Sequence, residues 1–358
     1  MDIAIVGLPA AGKTTLFRGL TGVHGSAPGD SRGEHLGTVK IPDERLARLA
    51  ALVLAKKVTP LEVRLQDLPP LFVRGAAPSG DAADALGKAD ALLHVVRGFH
   101  REDVPHPAES IDARRDAASF DAELMLSDLG IIERRLEKLD TQVRSGRPAE
   151  REVGEREQAL LLRCKQHLES ERPLREAITD AHDARGLANF GLLSLKPMLL
   201  VVNIDEDDAG RASAIEAEWQ AERPGAVSAV LCAKLEAELS ELSPEEAGEF
   251  RKELGAEEGG PERLLGKLMQ LLQLITFFTA GEKETRAWTV VAGGSALQAA
   301  GRIHPDIERG FIRAEVISWD RLLERGSHAE ARKHGELRTE GKTYVVQDGD
   351  VINVLFNV

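Results

Sequence analysis

The 358-residue chain has only two cysteines, Cys164 and Cys232, far apart and in no C-x-x-C or metal-ligand spacing. That scarcity argues against a zinc site and for a reducing compartment, so both thiols are read as packing residues. Basic charge is also short. The formal net charge is −13, so no global positive field gathers nucleic acid, and any contact with RNA needs a local patch. Long apolar runs are missing too. None approaches the ~18 residues that a membrane span needs, and the N-terminus carries no basic stretch followed by an apolar leader. The expectation is a cytoplasmic protein with no membrane partner. With 42% apolar and 29% charged residues, composition is that of a globular protein long enough for two or three domains.

What is present begins at Gly7. Gly7-Leu8-Pro9-Ala10-Ala11-Gly12-Lys13-Thr14 reads G-x-x-x-x-G-K-S/T. It follows the apolar run Ile3-Ala4-Ile5-Val6 and opens into Thr15-Leu16-Phe17-Arg18-Gly19-Leu20, which can start a helix. Strand, glycine loop and helix in that order are the context of a phosphate-binding loop. Glycines let the backbone N–H groups turn inward onto phosphate oxygens, and the helix N-terminus adds partial positive charge there. The candidate cradle is Gly7, Pro9, Ala10, Ala11, Gly12, Lys13, Thr14 and Thr15. Lys13 would reach the β- and γ-phosphates, and the Thr14 hydroxyl would sit on Mg²⁺. A chance match in a glycine turn is disfavoured by the strand before and the helix after.

The alternating run Leu61–Leu65 and the continuous apolar runs Ala91–Val96 and Met198–Val202 read as strands, the latter two as interior strands of a parallel sheet. Separated by helical stretches, they predict a doubly wound, mostly parallel α/β domain over 1–114 and 185–275. Between these, Met125, Leu129, Ile132, Leu136 and Leu139 step by 4, 3, 4 and 3, an a/d seam. Ser145-Gly146-Arg147-Pro148 breaks the seam, and a second helix follows with Leu161, Cys164 and Leu168 on one face. A helical hairpin inserted over 115–184 is predicted, either a functional arm or a plain two-helix excursion. From 276 to 358 the chain is glycine-punctuated and strand-rich. Asp348-Gly349, between the runs Tyr344–Gln347 and Asp350–Phe356, predicts a β-hairpin. This last segment holds 11 basic and 12 acidic residues, so it is the least acidic part and the better candidate for touching a polyanion.

If the first loop binds a triphosphate, loops after other strands should complete the site. Val201-Val202 leads into Asn203-Ile204-Asp205-Glu206, and Ala229-Val230-Leu231 into Cys232-Ala233-Lys234-Leu235-Glu236. A guanine-reading N-K-x-D loop would have lysine at Ile204 and aspartate at Glu206; the longer Glu206 moves the carboxylate and alters base selection. His94 is read as a packed core histidine, His304 as a residue with a fold role, and Trp288, Trp319 and the phenylalanines near 277 as core.

These motifs together resemble the YchF family of Obg-related P-loop NTPases. The resemblance is carried by the phosphate loop, the V-N-x-D-E and A-K-x-E loops, and long C-terminal runs. Those runs are Phe278-Thr279-Ala280-Gly281-Glu282-Lys283-Glu284-Thr285-Arg286-Ala287-Trp288-Thr289, Gln298–His304 and Glu308–Ile317. It covers essentially the whole chain and is poor over 22–36 and 66–88. It implies a G domain with a helical insertion and a C-terminal α+β TGS-like domain over 276–358. It implies a preference for ATP or relaxed ATP/GTP selectivity, and association with the ribosome or a ribosomal subunit. It makes Asn203 and Glu206 base-contacting, and lays Ala233 and Lys234 over base and ribose. A monomer is expected.

The chain departs from that family's pattern at the switch loops. Where the family reads D-x-A-G-L-V, this chain reads Asp67-Leu68-Pro69-Pro70-Leu71-Phe72. Asp67 is kept, to organise Mg²⁺ through water and act with Lys13 in catalysis. Pro70 replaces the glycine whose N–H would donate to the γ-phosphate, and proline has no N–H. The 24–35 region lacks the threonine that closes over Mg²⁺; Ser31 is the nearest substitute. Ala10 replaces an asparagine, and Asp81-Ala82-Ala83-Asp84 a glycine-rich stretch. The expectation is a slow ATPase or GTPase; the alternative is a catalytically silent nucleotide-binding adaptor. A nucleotide kinase is disfavoured, since no lid-like arginine cluster is present.

Overall fold

The computed structural model describes residues 1–22, 35–72, 80–145, 147–223, 225–256 and 260–357. Twelve strands are found among them. In chain order the first six are β1 (Asp2–Val6), β2 (His35–Ile41), β3 (Val58–Thr59), β4 (Leu61–Asp67), β5 (Ala91–Arg97) and β6 (Met198–Asn203). The rest are β7 (Val227–Leu231), β8 (Leu274–Ala280), β9 (Thr285–Val291), β10 (Phe311–Ser318), β11 (Arg338–Glu340) and β12 (Asp350–Phe356). The chain divides into two units, one of residues 1–37 and 64–261, the other of residues 38–63 and 262–358.

The first unit is built on a sheet of order β2-β4-β1-β5-β6-β7. From β4 to β7 every neighbouring pair is parallel. All seven residues of β5 and all six of β6 are buried, as the continuous apolar runs predict for strands covered on both faces. The helix Lys13–Thr21 follows β1 directly. The expected hairpin is formed by helices Ala113–Ser145 and Pro148–Glu169. Its seam is real: Met125, Ile132, Leu139, Leu161, Cys164 and Leu168 share one buried cluster, with Leu129 and Leu136 half-buried against it. The sequence pattern does not reveal how the hairpin is fastened. Asp128 is fully buried, and its two carboxylate oxygens accept from the Leu193 and Ser194 N–H groups, each at 2.8 Å.

The second unit has a mixed sheet of order β11-β10-β12-β8-β9-β3. β8 and β9 form an antiparallel pair, β12 lies antiparallel to β10 and parallel to β8, and β3 runs parallel to β9. The helix Glu44–Leu52 belongs here. Asp43 caps it by accepting from the Arg45 N–H, and Leu46 and Leu49 pack with Phe278, Ala287, Ile317, Leu322 and Val351. Residues 38–63 therefore count with the C-terminal unit, whereas the sequence division assigns them to the first. The β-hairpin predicted at Asp348-Gly349 is absent. Val345 makes only an isolated bridge to Ser295, and β12 pairs with β10 and β8 instead. The turn residues bond to β8: Asp348 Oδ1 accepts from the Thr276 N–H, and the Gly349 N–H donates to the Thr276 carbonyl. Glycine is required at 349, with φ +86° and Trp319 only 2.5 Å from where a Cβ would stand. Phe277 and Phe278 are fully buried, and Trp288 is half-buried with its indole N–H on Thr279 Oγ1. His304 caps a short helix, its Nδ1 accepting from the Asp306 N–H.

Candidate nucleotide site

β1 delivers the chain into a loop whose two glycines are forced by close approach. A Cβ on Gly7 would stand 2.3 Å from the Val95 carbonyl oxygen, and one on Gly12 would stand 2.2 Å from Asn203 Nδ2. Both have positive φ, +143° and +93°, and Ala10 is also left-handed at +61°. Alanine tolerates that region less well than asparagine or glycine. Pro9 and Ala10 form the exposed crest, Ala11 is buried, and Thr15 is half-buried in the first helical turn. Gly12 is the helix N-cap and has no side chain to occupy the first N–H groups, which leaves them available to an anion.

Lys13 is buried, and its ammonium donates to the carbonyls of Gly7 and Leu8, both at 3.0 Å. Burial pushes its pKa down, and the nearby Asp67 carboxylate opposes that. Asp67 ends β4 and is 2% exposed. Thr14 Oγ1 donates to its Oδ2 at 2.6 Å, while the buried Oδ1 has no hydrogen-bond partner among the described residues. Burial raises the Asp67 pKa; the Thr14 hydrogen bond and the Lys13 charge pull it back. Beyond it Leu68 and Leu71 are buried and Pro70 between them is exposed.

The two loops expected at the base end are tied to the phosphate loop by one side chain. Asn203 Nδ2 donates to the Ala11 carbonyl at 3.1 Å, and its Oδ1 accepts from the Ala233 N–H at 2.9 Å. Lys234 Nζ lies 2.9 Å from Glu206 Oε2, with both side chains largely exposed. Glu236 is buried and held by two hydrogen bonds from Arg251. Of the predicted site residues, Gly7, Pro9, Ala10, Ala11, Gly12, Lys13, Thr14 and Thr15 lie on the loop and first helical turn after β1, Asp67 ends β4, Asn203 ends β6 with Glu206 just beyond it, and Ala233 and Lys234 start the helix after β7. Ser31 lies outside the described residues.

The sequence reading does not single out Phe99 and Arg97. The Phe99 ring lies 3.7 Å from the Cβ position of Gly12, and the Arg97 guanidinium sits over it, 4.6 Å from the ring centre. The available signal was an arginine closing a strand that is apolar apart from His94. His94 is a core residue as expected. It is stacked on Phe120 with ring centres 4.2 Å apart, and burial pushes its pKa down to about 3.

Comparison with known proteins bears on this geometry. A family model described as a 50S ribosome-binding GTPase matches residues 2–128. The model for the YchF-GTPase C-terminal domain, described as a protein of unknown function, matches residues 274–357. The ribosome-binding ATPase YchF of Bacillus subtilis is 37% identical over 372 residues, covering 100% of both chains. The chain belongs to the YchF family. The ribosome-binding ATPase YchF of Haemophilus ducreyi is 38% identical, covering 99% of this chain and 98% of its own. Among solved structures, the Schizosaccharomyces pombe YchF GTPase superposes with a TM-score of 0.82 at 28% identity, covering 99% of this chain and 97% of that one. A P-loop GTPase domain followed by a C-terminal YchF domain is thus the architecture of the chain.

Proposed function

We propose that this protein binds ATP, or GTP, with Mg²⁺ in the loop Gly7–Thr14, hydrolyses it slowly, and does so on ribosomal particles. Asp67 carries the reading. One buried carboxylate oxygen is bonded to the Thr14 hydroxyl, and the other is unpartnered among the described residues, beside a buried ammonium. A hydroxyl and a carboxylate are a hard oxygen donor set that suits Mg²⁺. Thr14 would ligate it directly and Asp67 through water, and the bound ion would offset phosphate charge. Lys13 would exchange its two carbonyl acceptors for phosphate oxygens, and the N–H groups after Gly12 would cradle the rest. Glu206 would read the base edge once freed from Lys234. Asn203 and Ala233 would set the floor beneath the base, and Phe99 offers a ring for stacking. Pro70 supplies no N–H to the γ-phosphate, which is why slow turnover is expected. The names of the two bacterial relatives support a ribosomal partner. We read the C-terminal unit as TGS-like, the better candidate for rRNA contact, and the protein as cytoplasmic and monomeric.

The test is titration of ATP, GTP and ADP with and without Mg²⁺, followed by single-turnover hydrolysis, with Lys13→Ala as control. Mg²⁺-dependent triphosphate binding that Lys13→Ala abolishes, with slow turnover, is expected. No nucleotide binding, or turnover that survives Lys13→Ala, would overturn the proposal.

A further inference from the structure

Arg97 is among the largest fully buried side chains of the protein, 2% exposed at the end of β5. No ion pair to it is found among the described residues. Its guanidinium instead donates to three carbonyls of the chain just ahead: Nε to Phe99 at 3.2 Å, Nη1 to Val104 at 2.9 Å and Nη2 to Arg101 at 3.1 Å. Its plane also covers the Phe99 ring. A buried guanidinium is costly unless its donors are met, and here the loop's own carbonyls meet them, with the Asp103 carboxylate of the same loop near enough to feel its charge. The result is a loop wound around a cation.

The same loop is fastened to the base end of the nucleotide site from its other side. The Gly98 N–H donates to the Asn203 carbonyl at 2.8 Å, and the His100 N–H donates to the Asp205 carboxylate at 3.0 Å. Phe99 stands between these two anchors, next to Gly12 and Asn203. Nothing in the loop reaches Lys13, Thr14 or Asp67 through a hydrogen bond among the described residues. Its hydrogen bonds go to Asn203 and Asp205, and its one approach to the phosphate loop is the van der Waals contact of Phe99 with Gly12.

We propose that Arg97 is a positioning residue of the nucleotide site, folding the Phe99–Val104 loop so that Phe99 closes the base end beside Asn203. The inference rests on the nucleotide reading above and deepens it: base affinity and base choice depend on Arg97, triphosphate affinity does not. Lysine would keep the charge but offers a compact ammonium in place of the planar fork that spans three carbonyls. Methionine would keep most of the packing and none of the donors.

The experiment uses the full chain with Mg²⁺ and measures displacement of a fluorescent ATP analogue by ATP, GTP and inorganic tripolyphosphate. Arg97→Lys and Arg97→Met are expected to weaken ATP on the order of tenfold or more, narrow the ATP/GTP difference, and leave tripolyphosphate unchanged. Asp205→Ala, which loosens the loop's exposed anchor and does not disturb the core, should move ATP against tripolyphosphate in the same direction. It keeps the test open if the Arg97 variants fail to fold. Equal weakening of ATP and tripolyphosphate, or an unchanged ATP affinity in a folded Arg97 variant, would overturn the proposal. So would an unchanged ATP-to-tripolyphosphate ratio in Asp205→Ala. If the unaltered protein binds neither ligand, it is the nucleotide reading itself that fails.

Discussion

Acidification should weaken the first unit through a single imidazole. His94 is fully buried against Phe120, and neither ring nitrogen has a hydrogen-bond partner among the described residues. Burial, joined by the positive charges of Arg175, Arg223 and Lys13, lowers its pKa from 6.5 to about 3. In the unfolded chain the same group titrates near 6.5. Below that pH the unfolded state takes up a proton that the folded state refuses, so stability falls with falling pH. The contribution is fully present above 6.5 and is lost progressively down to about 3. Between pH 7.5 and 5.5 the loss amounts to about 1.4 kcal/mol. The assay is urea denaturation followed by the fluorescence of Trp219, in a chain whose Trp288 and Trp319 are replaced by phenylalanine. His94→Phe in that background keeps an aromatic ring beside Phe120 and removes the titration. The parent should lose about 1.4 kcal/mol more than the variant over those two pH units. Identical pH dependence in both chains, or a native His94 imidazole signal that titrates near 6.5, would refute the reasoning.

Three further outcomes are expected. Pro70→Gly supplies a backbone N–H at the position proposed to face the γ-phosphate and should raise single-turnover hydrolysis by roughly 10²-fold, leaving nucleotide affinity little changed; no increase would show that the missing donor does not limit the rate. Glu206→Asp shortens the carboxylate proposed to read the base and should shift the ratio of GTP to ATP affinity toward GTP by about tenfold, read by competitive titration. Asp128→Ala leaves the buried Leu193 and Ser194 N–H groups without acceptors and should cost about 2–5 kcal/mol of stability, measured by denaturation, with nucleotide affinity of the folded protein preserved.

Much of the site was legible because its chemistry is local. A phosphate loop needs a strand, two glycines, a lysine and a hydroxyl within eight residues, and the buried parallel strands announce themselves as unbroken apolar runs. The a/d steps of Met125 to Leu139 are likewise local, and the helical hairpin follows them. The two segments read as base loops stand out because each directly follows such a strand.

What the sequence by itself determined is periodicity and short-range chemistry: the strand–loop–helix around Lys13, the seam of the hairpin, and the carboxylate Asp67 at the end of β4. Tertiary structure alone decided which surfaces meet. The Leu46 and Leu49 face of Glu44–Leu52 is apolar in any reading, but an apolar face does not name its partner, and its partner is the C-terminal sheet. Asp348-Gly349 turns the chain, yet its hydrogen bonds go to Thr276, 72 residues away from Asp348, so no hairpin forms. The pairing of Asp128 with Leu193 and Ser194, and the bonds from Asn203 to Ala11 and Ala233, span 30 to 192 residues. Hydrogen bonds and burial are set by distance in space. A linear pattern records which groups need a partner, and only the fold brings that partner within hydrogen-bond distance.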